Sequence, residues 1–234
     1  MKVFCLPFAG GNKYSYRVLE QHTPTPLQLV TLEYPGRGTK INEPLMYDME
    51  KLVDYMYHQL IDLLDNESYA IYGHSMGGHL ACLLTRLLIK KNKPAPVHVF
   101  VSGTPGPAAS LANERKRHLL SKEELIEELR ILKGSKNEVL EDEDWLAYFE
   151  PILRADFQVS ETFNYQPTGP LLIPFTVVTG TDEDMEPADI KIWQNETAFP
   201  VDFKQMPGAH FFIYDQPKAL MDLLSCKLLN NKVY

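Results

Sequence analysis

The sequence has few cysteines, no long apolar run and fewer basic than acidic side chains. The three cysteines, Cys5, Cys82 and Cys226, are odd in number, widely spaced and without zinc-like Cys/His spacing. They argue against a disulfide framework and favour a reducing compartment. Lysine and arginine total 23 against 31 aspartate and glutamate, for a formal net charge of −8. A chain with this acidic balance lacks the basic surface that nucleic acids and anionic membranes attract.

No stretch approaches the roughly 18 consecutive apolar residues that span a bilayer. The first residues, MKVFCLPFAGG, place Lys2 before apolar side chains, as a signal peptide does. However, the apolar run stops at Gly10 and no small-residue cleavage site follows a long enough hydrophobic stretch. We therefore interpret this segment as a strand that enters a loop, and we predict a cytoplasmic protein.

The 234 residues, of which 44% are hydrophobic and 23% charged, suit a single domain over residues 1–234 with a substantial core. Short apolar runs alternate with stretches of helical periodicity. The predicted strands are residues 3–6, 27–32, 69–72, 97–102, 175–179 and 201–206, and the predicted helices include residues 49–64, 80–89 and 217–229. This alternation predicts an α/β fold with a mostly parallel sheet and helices on both faces.

Residues 105–170 interrupt that alternation. The segment begins with Gly, Pro and Ala and continues with charged amphipathic helices. Ser121 and Glu124 form a capping box, and residues 142–155 carry apolar side chains at helical spacing. Helices inserted between two strands of such a sheet typically cover the edge that carries the active site. We therefore predict a mobile helical lid that controls access to that site.

A serine lies within the sequence Gly-His-Ser-Met-Gly at positions 73–77, which matches the G-x-S-x-G nucleophile elbow. A predicted strand precedes this motif and a predicted helix follows it, as the elbow requires. The glycines allow a sharp turn that exposes the serine hydroxyl at a helix N-terminus, where developing negative charge is stabilised. Ser75 is therefore the candidate nucleophile. The alternative is an incidental serine in a glycine-rich turn.

An activated serine needs a base and a carboxylate, and in sheets with this elbow the acid precedes the histidine in the chain. His210 follows the last predicted strand and precedes the last predicted helix, and we predict it as the base. The acid is expected after the fifth predicted strand, where Asp182, Glu183 and Asp184 stand in a row. Counting three residues from Gly180 indicates Glu183, but an aspartate on either side leaves the choice open.

Five stretches across the chain carry a family resemblance. They are Pro-Phe-Ala-Gly-Gly at 7–11, Tyr-Pro-Gly-Arg-Gly at 34–38 with Glu-Pro at 43–44, Gly-His-Ser-Met-Gly-Gly at 73–78, Trp193, and Pro-Gly-Ala-His-Phe-Phe at 207–212. In these stretches nearly the whole chain resembles type II thioesterases. These are stand-alone α/β-hydrolases associated with nonribosomal peptide and polyketide synthases, and they are related to the medium-chain thioesterase of fatty acid synthesis. Ala209 departs from the family's usual Gly-Gly-His.

The resemblance also bears on the acid. The Glu-Asp-Met sequence at 183–185 is similar to the Glu-Asp-apolar step of the fatty-acid relative, which favours Asp184. Counting back from Trp193 favours Asp182 instead, because the loop before that tryptophan is shorter than the family's. Asp184 is therefore the preferred acid and Asp182 its rival.

The resemblance implies an enzyme that hydrolyses acyl or aminoacyl groups from the phosphopantetheine arm of an acyl or peptidyl carrier protein. Ser75 would attack the thioester carbonyl, and His210 would take the serine proton. The backbone N–H groups of Met76 and Ala9 would hold the oxyanion. No metal or organic cofactor is implied, and the resemblance indicates a monomer.

Docking of an acidic carrier protein would require a local basic patch on this acidic chain. The candidates are Lys13, Arg17, Arg37, Lys40, Arg115, Lys116 and Arg117, and ordinary solvated surface charge is the alternative for each of them. Two other functions stay open at this point. One is a carboxylesterase or lipase that cleaves small oxygen esters with the same side chains, and the other is a non-catalytic binding protein on a hydrolase fold.

Overall fold

The computed structural model describes residues 1–109, 116–132, 134 and 140–229. Within these ranges, six strands form one sheet in the order β2-β1-β3-β4-β5-β6. Every neighbouring pair is parallel. The strands are β1 (Lys2–Leu6), β2 (Gln28–Thr31), β3 (Tyr69–His74), β4 (Val99–Ser102), β5 (Phe175–Gly180) and β6 (Asp202–Met206). The predicted parallel α/β architecture is confirmed.

The helices alternate with these strands along the chain. They are α1 (Arg17–Glu20), α2 (Met49–Ile61), α3 (Met76–Lys90), α4 (Lys122–Leu132), α5 (Glu143–Glu161), α6 (Pro187–Lys191), α7 (Phe212–Asp215) and α8 (Pro217–Leu229). Asp48 caps α2, because its carboxylate accepts the Lys51 N–H at 2.9 Å. No helix in the described ranges is long and apolar enough to cross a membrane.

The core lies on both faces of the sheet, because successive side chains along each strand point to opposite faces. On β3, Tyr69 and Ile71 pack into the apolar cluster that α2 and α3 cover. Ala70 and Tyr72 point to the opposite face, into the cluster that α8 covers. A strand buried on both faces needs a continuous apolar run, and this is why a short apolar stretch predicted β3.

The helices α4 and α5 lie between β4 and β5 and form a small apolar cluster of their own, which includes Leu125 and Phe157. The predicted capping box is present: the Ser121 N–H donates to Glu124 at 2.8 Å, and the Glu124 N–H donates to the Ser121 hydroxyl at 3.2 Å. Residues 110–115, 133 and 135–139 of the predicted lid lie outside the described residues. The gating role of the segment stays a prediction.

Helix α5 is longer than the sequence pattern predicted, and it continues past residue 155 to Glu161. Beyond residue 155 the buried face continues with Phe157 and Val159, and Asp156, which is only 2% exposed, faces inward beside them. A buried carboxylate is rare unless it is paired. The partner of Asp156 lies far away in the sequence and is described below.

The carboxyl ends of neighbouring parallel strands meet at one edge of the sheet. The loops that carry the candidate site residues all begin there: Ala9 follows β1, Ser75 follows β3, Glu183 follows β5 and His210 follows β6. In the strand order, β1 and β3 are neighbours and β2 lies outside them, so the chain reverses its direction of winding between β1 and β3. Crevices at such a switch point are the usual ligand sites of open α/β sheets.

Candidate active site

Ser75 occupies a strained turn between β3 and α3. Its backbone has φ of 54° and ψ of −122°, which a non-glycine residue rarely adopts. The turn is tight enough that a Cβ on Gly73 would overlap the Gly77 carbonyl, and a Cβ on Gly77 would overlap the Leu6 carbonyl. The Ser75 N–H donates to the Ser102 carbonyl at 2.8 Å. Ser75 thus has the backbone of a nucleophile elbow, held by the two neighbouring strands.

A buried carboxylate orients the His210 ring from the adjacent loop. His210 Nδ1 and Glu183 Oε1 are 2.8 Å apart, and the Glu183 side chain is 3% exposed. The second oxygen, Oε2, accepts the Gly180 N–H at 2.6 Å. Both oxygens of Glu183 therefore accept a hydrogen bond, and the proton of the imidazole is favoured on Nδ1. This tautomer leaves Nε2 free to accept a proton.

The structure corrects the sequence-based choice of acid. Asp182 and Asp184 are both exposed, and Asp182 accepts from the Thr181 hydroxyl at 2.8 Å. Neither is hydrogen-bonded to His210; within the described chain that contact belongs to Glu183. The reason is geometric: three consecutive residues in a loop point in different directions, and the middle one is directed back toward the end of β5. The count from Gly180 had indicated this residue.

The Ser75 hydroxyl and the His210 ring, both in the described part of the chain, are not hydrogen-bonded to each other. Contacts between nucleophile and base are often long in proteins without substrate and shorten when the substrate binds. The arrangement can perform nucleophilic attack with general-base assistance once that contact closes.

Ala9 and Met76 are placed as amide donors next to the elbow. Met76 is the first residue of α3, where backbone N–H groups have no partner inside the helix. Ala9 lies in a turn after β1 that the Gly11 N–H closes by donating to the Phe8 carbonyl at 2.8 Å. Neither the Ala9 nor the Met76 N–H donates to another described residue. Both amides are therefore open to an oxyanion.

His74 lies beneath the site, and sequence analysis gave it no role. Its ring is fully buried, its Nδ1 is 2.8 Å from the Ser102 hydroxyl, and its ring centre is 5.0 Å from that of His210. Ser102 in turn contacts the Tyr72 hydroxyl at 2.9 Å. Burial, followed by the nearby His210, lowers the pKa of His74 well below its usual value. A neutral His74 adds no positive charge beside the base.

The structure removes Arg37 from the candidates for a surface patch that docks a carrier protein, and it also excludes the alternative of a solvated surface charge. Its side chain is 4% exposed and forms a bidentate ion pair with Asp156, with N···O distances of 2.5 and 2.7 Å. A guanidinium that is buried in this way cannot meet a partner protein. The Tyr-Pro-Gly-Arg-Gly motif therefore supplies an internal contact.

The remaining basic candidates differ in their availability. Lys13 and Arg17 flank the Tyr14 ring, at 4.9 and 4.1 Å from its centre. Lys40 is paired with Glu43 and Arg117 with Glu128 and Glu161, Lys116 is exposed, and Arg115 lies outside the described residues. In the described ranges, no group of three or more His, Cys, Asp or Glu side chains could hold a metal ion.

Comparisons with known proteins relate the chain to one family. The sequence profile of the Thioesterase domain family matches residues 1–228. The chain is 30% identical to the gramicidin S biosynthesis protein GrsT of Aneurinibacillus migulanus over 230 residues, which is 98% of this chain and 89% of that protein. It is also 30% identical to the medium-chain S-acyl fatty acid synthase thioesterase of Rattus norvegicus over 215 residues, 91% of this chain and 81% of that protein.

Solved structures agree with these sequence relatives. The fold superposes on RedJ, a thioesterase from the prodiginine biosynthetic pathway in Streptomyces coelicolor, with a TM-score of 0.87 at 29% identity, covering 97% of this chain and 90% of that one. The family match spans nearly the whole chain and includes the elbow, the histidine loop and the sheet that carries them. The fold also superposes on BorB, a type II thioesterase from the borrelidin biosynthetic cluster, with a TM-score of 0.86 at 29% identity, covering 96% of this chain and 91% of that one. The chain thus belongs to the thioesterase family, is similar to the type II enzymes, and is a hydrolase that acts on thioesters.

Proposed function

We propose that the protein hydrolyses acyl or aminoacyl thioesters from the phosphopantetheine arm of carrier proteins in nonribosomal peptide or polyketide synthesis, with Ser75, His210 and Glu183 as the catalytic triad. The observation that carries the triad is the 2.8 Å contact between Glu183 and His210 at the sheet edge where Ser75 is held in its elbow. The carrier-protein substrate is supported by relatives from gramicidin S and prodiginine biosynthesis.

The first half-reaction forms an acyl-enzyme. His210 Nε2 takes the proton as the Ser75 oxygen attacks the thioester carbonyl carbon. The carbonyl oxygen becomes an oxyanion that accepts hydrogen bonds from the Met76 and Ala9 amides. The Glu183 carboxylate stabilises the imidazolium that forms. Collapse of the tetrahedral intermediate breaks the C–S bond and releases the pantetheine thiol, which receives the proton from His210.

The second half-reaction releases the acid. His210 accepts a proton from water as the water oxygen attacks the acyl-enzyme carbonyl, and the proton then passes to the Ser75 oxygen as the ester bond breaks. A thiolate leaves more readily than an alkoxide, so the first step makes a weaker demand on the general acid. Cleavage of a thioester therefore needs less proton donation from His210 than cleavage of an oxygen ester does.

The variant Ser75→Ala tests the proposal. We expect acid release from an acyl-loaded carrier protein to fall to background, a loss on the order of 10⁶-fold if serine proteases are a guide, because the attacking oxygen is gone. Thermal unfolding should be unchanged, since the substitution adds no bulk. The matched control is Ser225→Ala on α8, which should retain wild-type turnover. Near-wild-type activity of Ser75→Ala would remove the serine from the mechanism.

A second comparison separates the substrate classes. The wild-type enzyme should hydrolyse an acyl group faster from a carrier protein than from free pantetheine, and faster from either than from an oxygen ester of the same acyl chain. Preference for the oxygen ester would make the protein a carboxylesterase that uses the same triad. Equal rates on the carrier protein and on free pantetheine would contradict the carrier-protein substrate.

A further inference from the structure

The turn that carries Ala9 is held from outside by residues of distant segments. Gly10 has φ of +78°, close to the value of about +80° that a type II turn requires at its third residue. The Gly11 N–H closes the turn on the Phe8 carbonyl at 2.8 Å. In a turn of this type, the N–H of the third residue points away from the closing hydrogen bond and needs another acceptor.

Asp156 supplies that acceptor. The Gly10 N–H donates to Asp156 Oδ2 at 2.7 Å. Each of the two peptide planes that flank Ala9 therefore has one fixed hydrogen bond: the Phe8 carbonyl lies in the plane of the Ala9 N–H, and the Gly10 N–H lies in the plane of the Ala9 carbonyl. Because peptide planes are rigid, these two bonds together set the backbone of Ala9 and the direction of its N–H.

Arg37 fixes the position of Asp156. Its two terminal nitrogens bind both oxygens of the carboxylate, and Nη1 also donates to the Gly11 carbonyl at 3.3 Å. Leu153, one turn before Asp156 on α5, lies so close to Gly10 that a Cβ there would overlap it. The turn is thus enclosed by α5 on one side and by the Arg37 loop on the other.

A buried ion pair is an inefficient way to stabilise a fold, because apolar residues of similar size often serve as well or better. The side chains of Asp156 and Arg37 are 2% and 4% exposed, so they occupy interior positions that apolar side chains could fill. What an apolar pair could not do is accept the Gly10 N–H. This asymmetry argues that the hydrogen bond to the turn is the function of the pair.

We propose that Asp156, held by Arg37, is a positioning residue that aims the Ala9 N–H at the oxyanion and thereby links α5 to the catalytic machinery. The inference rests on the proposed function, in which Ala9 is an oxyanion donor. It implies that α5 is fixed at Asp156 during chemistry, so any opening of the lid occurs elsewhere in the segment.

Two double variants isolate the hydrogen bond. Arg37→Met with Asp156→Leu removes both charges and the acceptor, and Arg37→Met with Asp156→Asn removes both charges but keeps a carbonyl oxygen for the Gly10 N–H. We expect kcat of the leucine variant to fall about 100-fold, the loss typical of a misplaced or missing oxyanion donor, with KM within about threefold of wild type. The asparagine variant keeps an acceptor for the Gly10 N–H but loses the Arg37 contact that fixes it, so its kcat should lie between those of the leucine variant and the wild type.

A readout of the oxyanion itself excludes a purely structural role. The test ligand is a trifluoromethyl ketone analogue of the acyl pantetheine. The Ser75 oxygen adds to its carbonyl carbon, the serine proton passes to His210, and the ketone oxygen becomes a tetrahedral oxyanion. The corresponding amide analogue binds without this addition. The leucine variant should lose affinity for the ketone in proportion to its loss of kcat and keep its affinity for the amide.

The control is a partly exposed ion pair of the same helix, Glu150 with Arg154, whose side chains are each 25% exposed and of which Arg154 also donates to the His118 and Leu120 carbonyls. Glu150→Gln with Arg154→Met should leave both kcat and ketone affinity unchanged, because neither residue touches the turn. A similar loss in this variant would attribute the effect to the lid as a whole and would overturn the inference. So would a leucine variant that folds and keeps wild-type kcat and ketone affinity.

Three further outcomes are distinguishable. If the leucine variant does not fold, the asparagine variant decides alone: a reduced kcat with ketone affinity reduced in proportion and amide affinity kept supports the inference, whereas wild-type kcat and ketone affinity without Arg37 contradict it. If Ser75→Ala stays active, the proposed function fails first and the inference with it. If Ser75→Ala is inactive while the leucine variant is unaffected, only the role of Asp156 is wrong.

Discussion

Replacing Glu183 by glutamine keeps the size of the side chain and changes what its two terminal atoms can do. In the structure, one carboxylate oxygen faces His210 Nδ1 at 2.8 Å and the other accepts the Gly180 N–H at 2.6 Å. A glutamine has one acceptor for these two positions. If its NH₂ group faced Gly180, two donors would meet at a buried site and a buried N–H would be left unsatisfied, at a cost of about 1–3 kcal/mol.

The lower-energy arrangement therefore turns the amide oxygen to Gly180 and the NH₂ group to His210. His210 Nδ1 then has to accept, which places the ring proton on Nε2, the nitrogen that must take the proton of Ser75. The histidine is held in place but in the wrong tautomer. By analogy with the serine protease triad, kcat should fall by about 10⁴-fold, while KM and the melting temperature change little.

The assay is steady-state hydrolysis of one acyl thioester by Glu183→Gln, Asp182→Asn and Asp184→Asn, with thermal unfolding of each. The two aspartate variants are matched controls, because they make the same acid-to-amide change on either side of Glu183 and both positions are exposed. Each should stay within about threefold of wild type, since an exposed loop carboxylate orients nothing. A large loss confined to Asp184→Asn or Asp182→Asn would refute the reasoning and restore the choice made from the sequence.

Two further predictions concern stability. Burial, with the nearby Lys227, lowers the pKa of His98 to about 4, so His98 is neutral in the folded protein. In the unfolded chain the pKa of a histidine is about 6.5, so the unfolded state binds a proton first as pH falls, and the free energy of unfolding decreases by about 2 kcal/mol between pH 7 and 5. Chemical denaturation over this range should show a flatter decline for His98→Gln than for the wild type or the exposed control His22→Gln. Gly77→Ala should cost about 3 kcal/mol or more, because its methyl group would overlap the Leu6 carbonyl, and a soluble variant that melts with the wild type would contradict that packing.

The Ser75 elbow and the place of His210 could be predicted from the sequence because both depend on local signals. A strand buried on both faces is a continuous apolar run, and a turn without room for side chains is rich in glycine. The motif at 73–77 combines the two, and chain order then assigns the histidine loop. The capping box at Ser121 is local in the same way, and the hydrogen bonds of the structure confirm it.

The choice among the three loop carboxylates and the contact of Arg37 could not be settled in this way, although the count from Gly180 indicated Glu183. Glu183 is chosen over its two neighbours by the direction in which the loop leaves β5, which depends on the hydrogen bond to Gly180 and on the position of His210. Arg37 looked like a surface charge because its partner Asp156 is 119 positions away. Asp156 in turn looked like the end of a helix.

The sequence alone therefore determined the alternation of strands and helices, the strained turn at Ser75 and the place of His210 after the last strand, since periodicity and turn chemistry act over a few residues. The tertiary structure decided which of three adjacent carboxylates is buried against His210 and which charges are removed from water. The physical reason is that the energy of a carboxylate or a guanidinium depends on its partners and its exposure, and folding alone brings those partners together from distant parts of the chain.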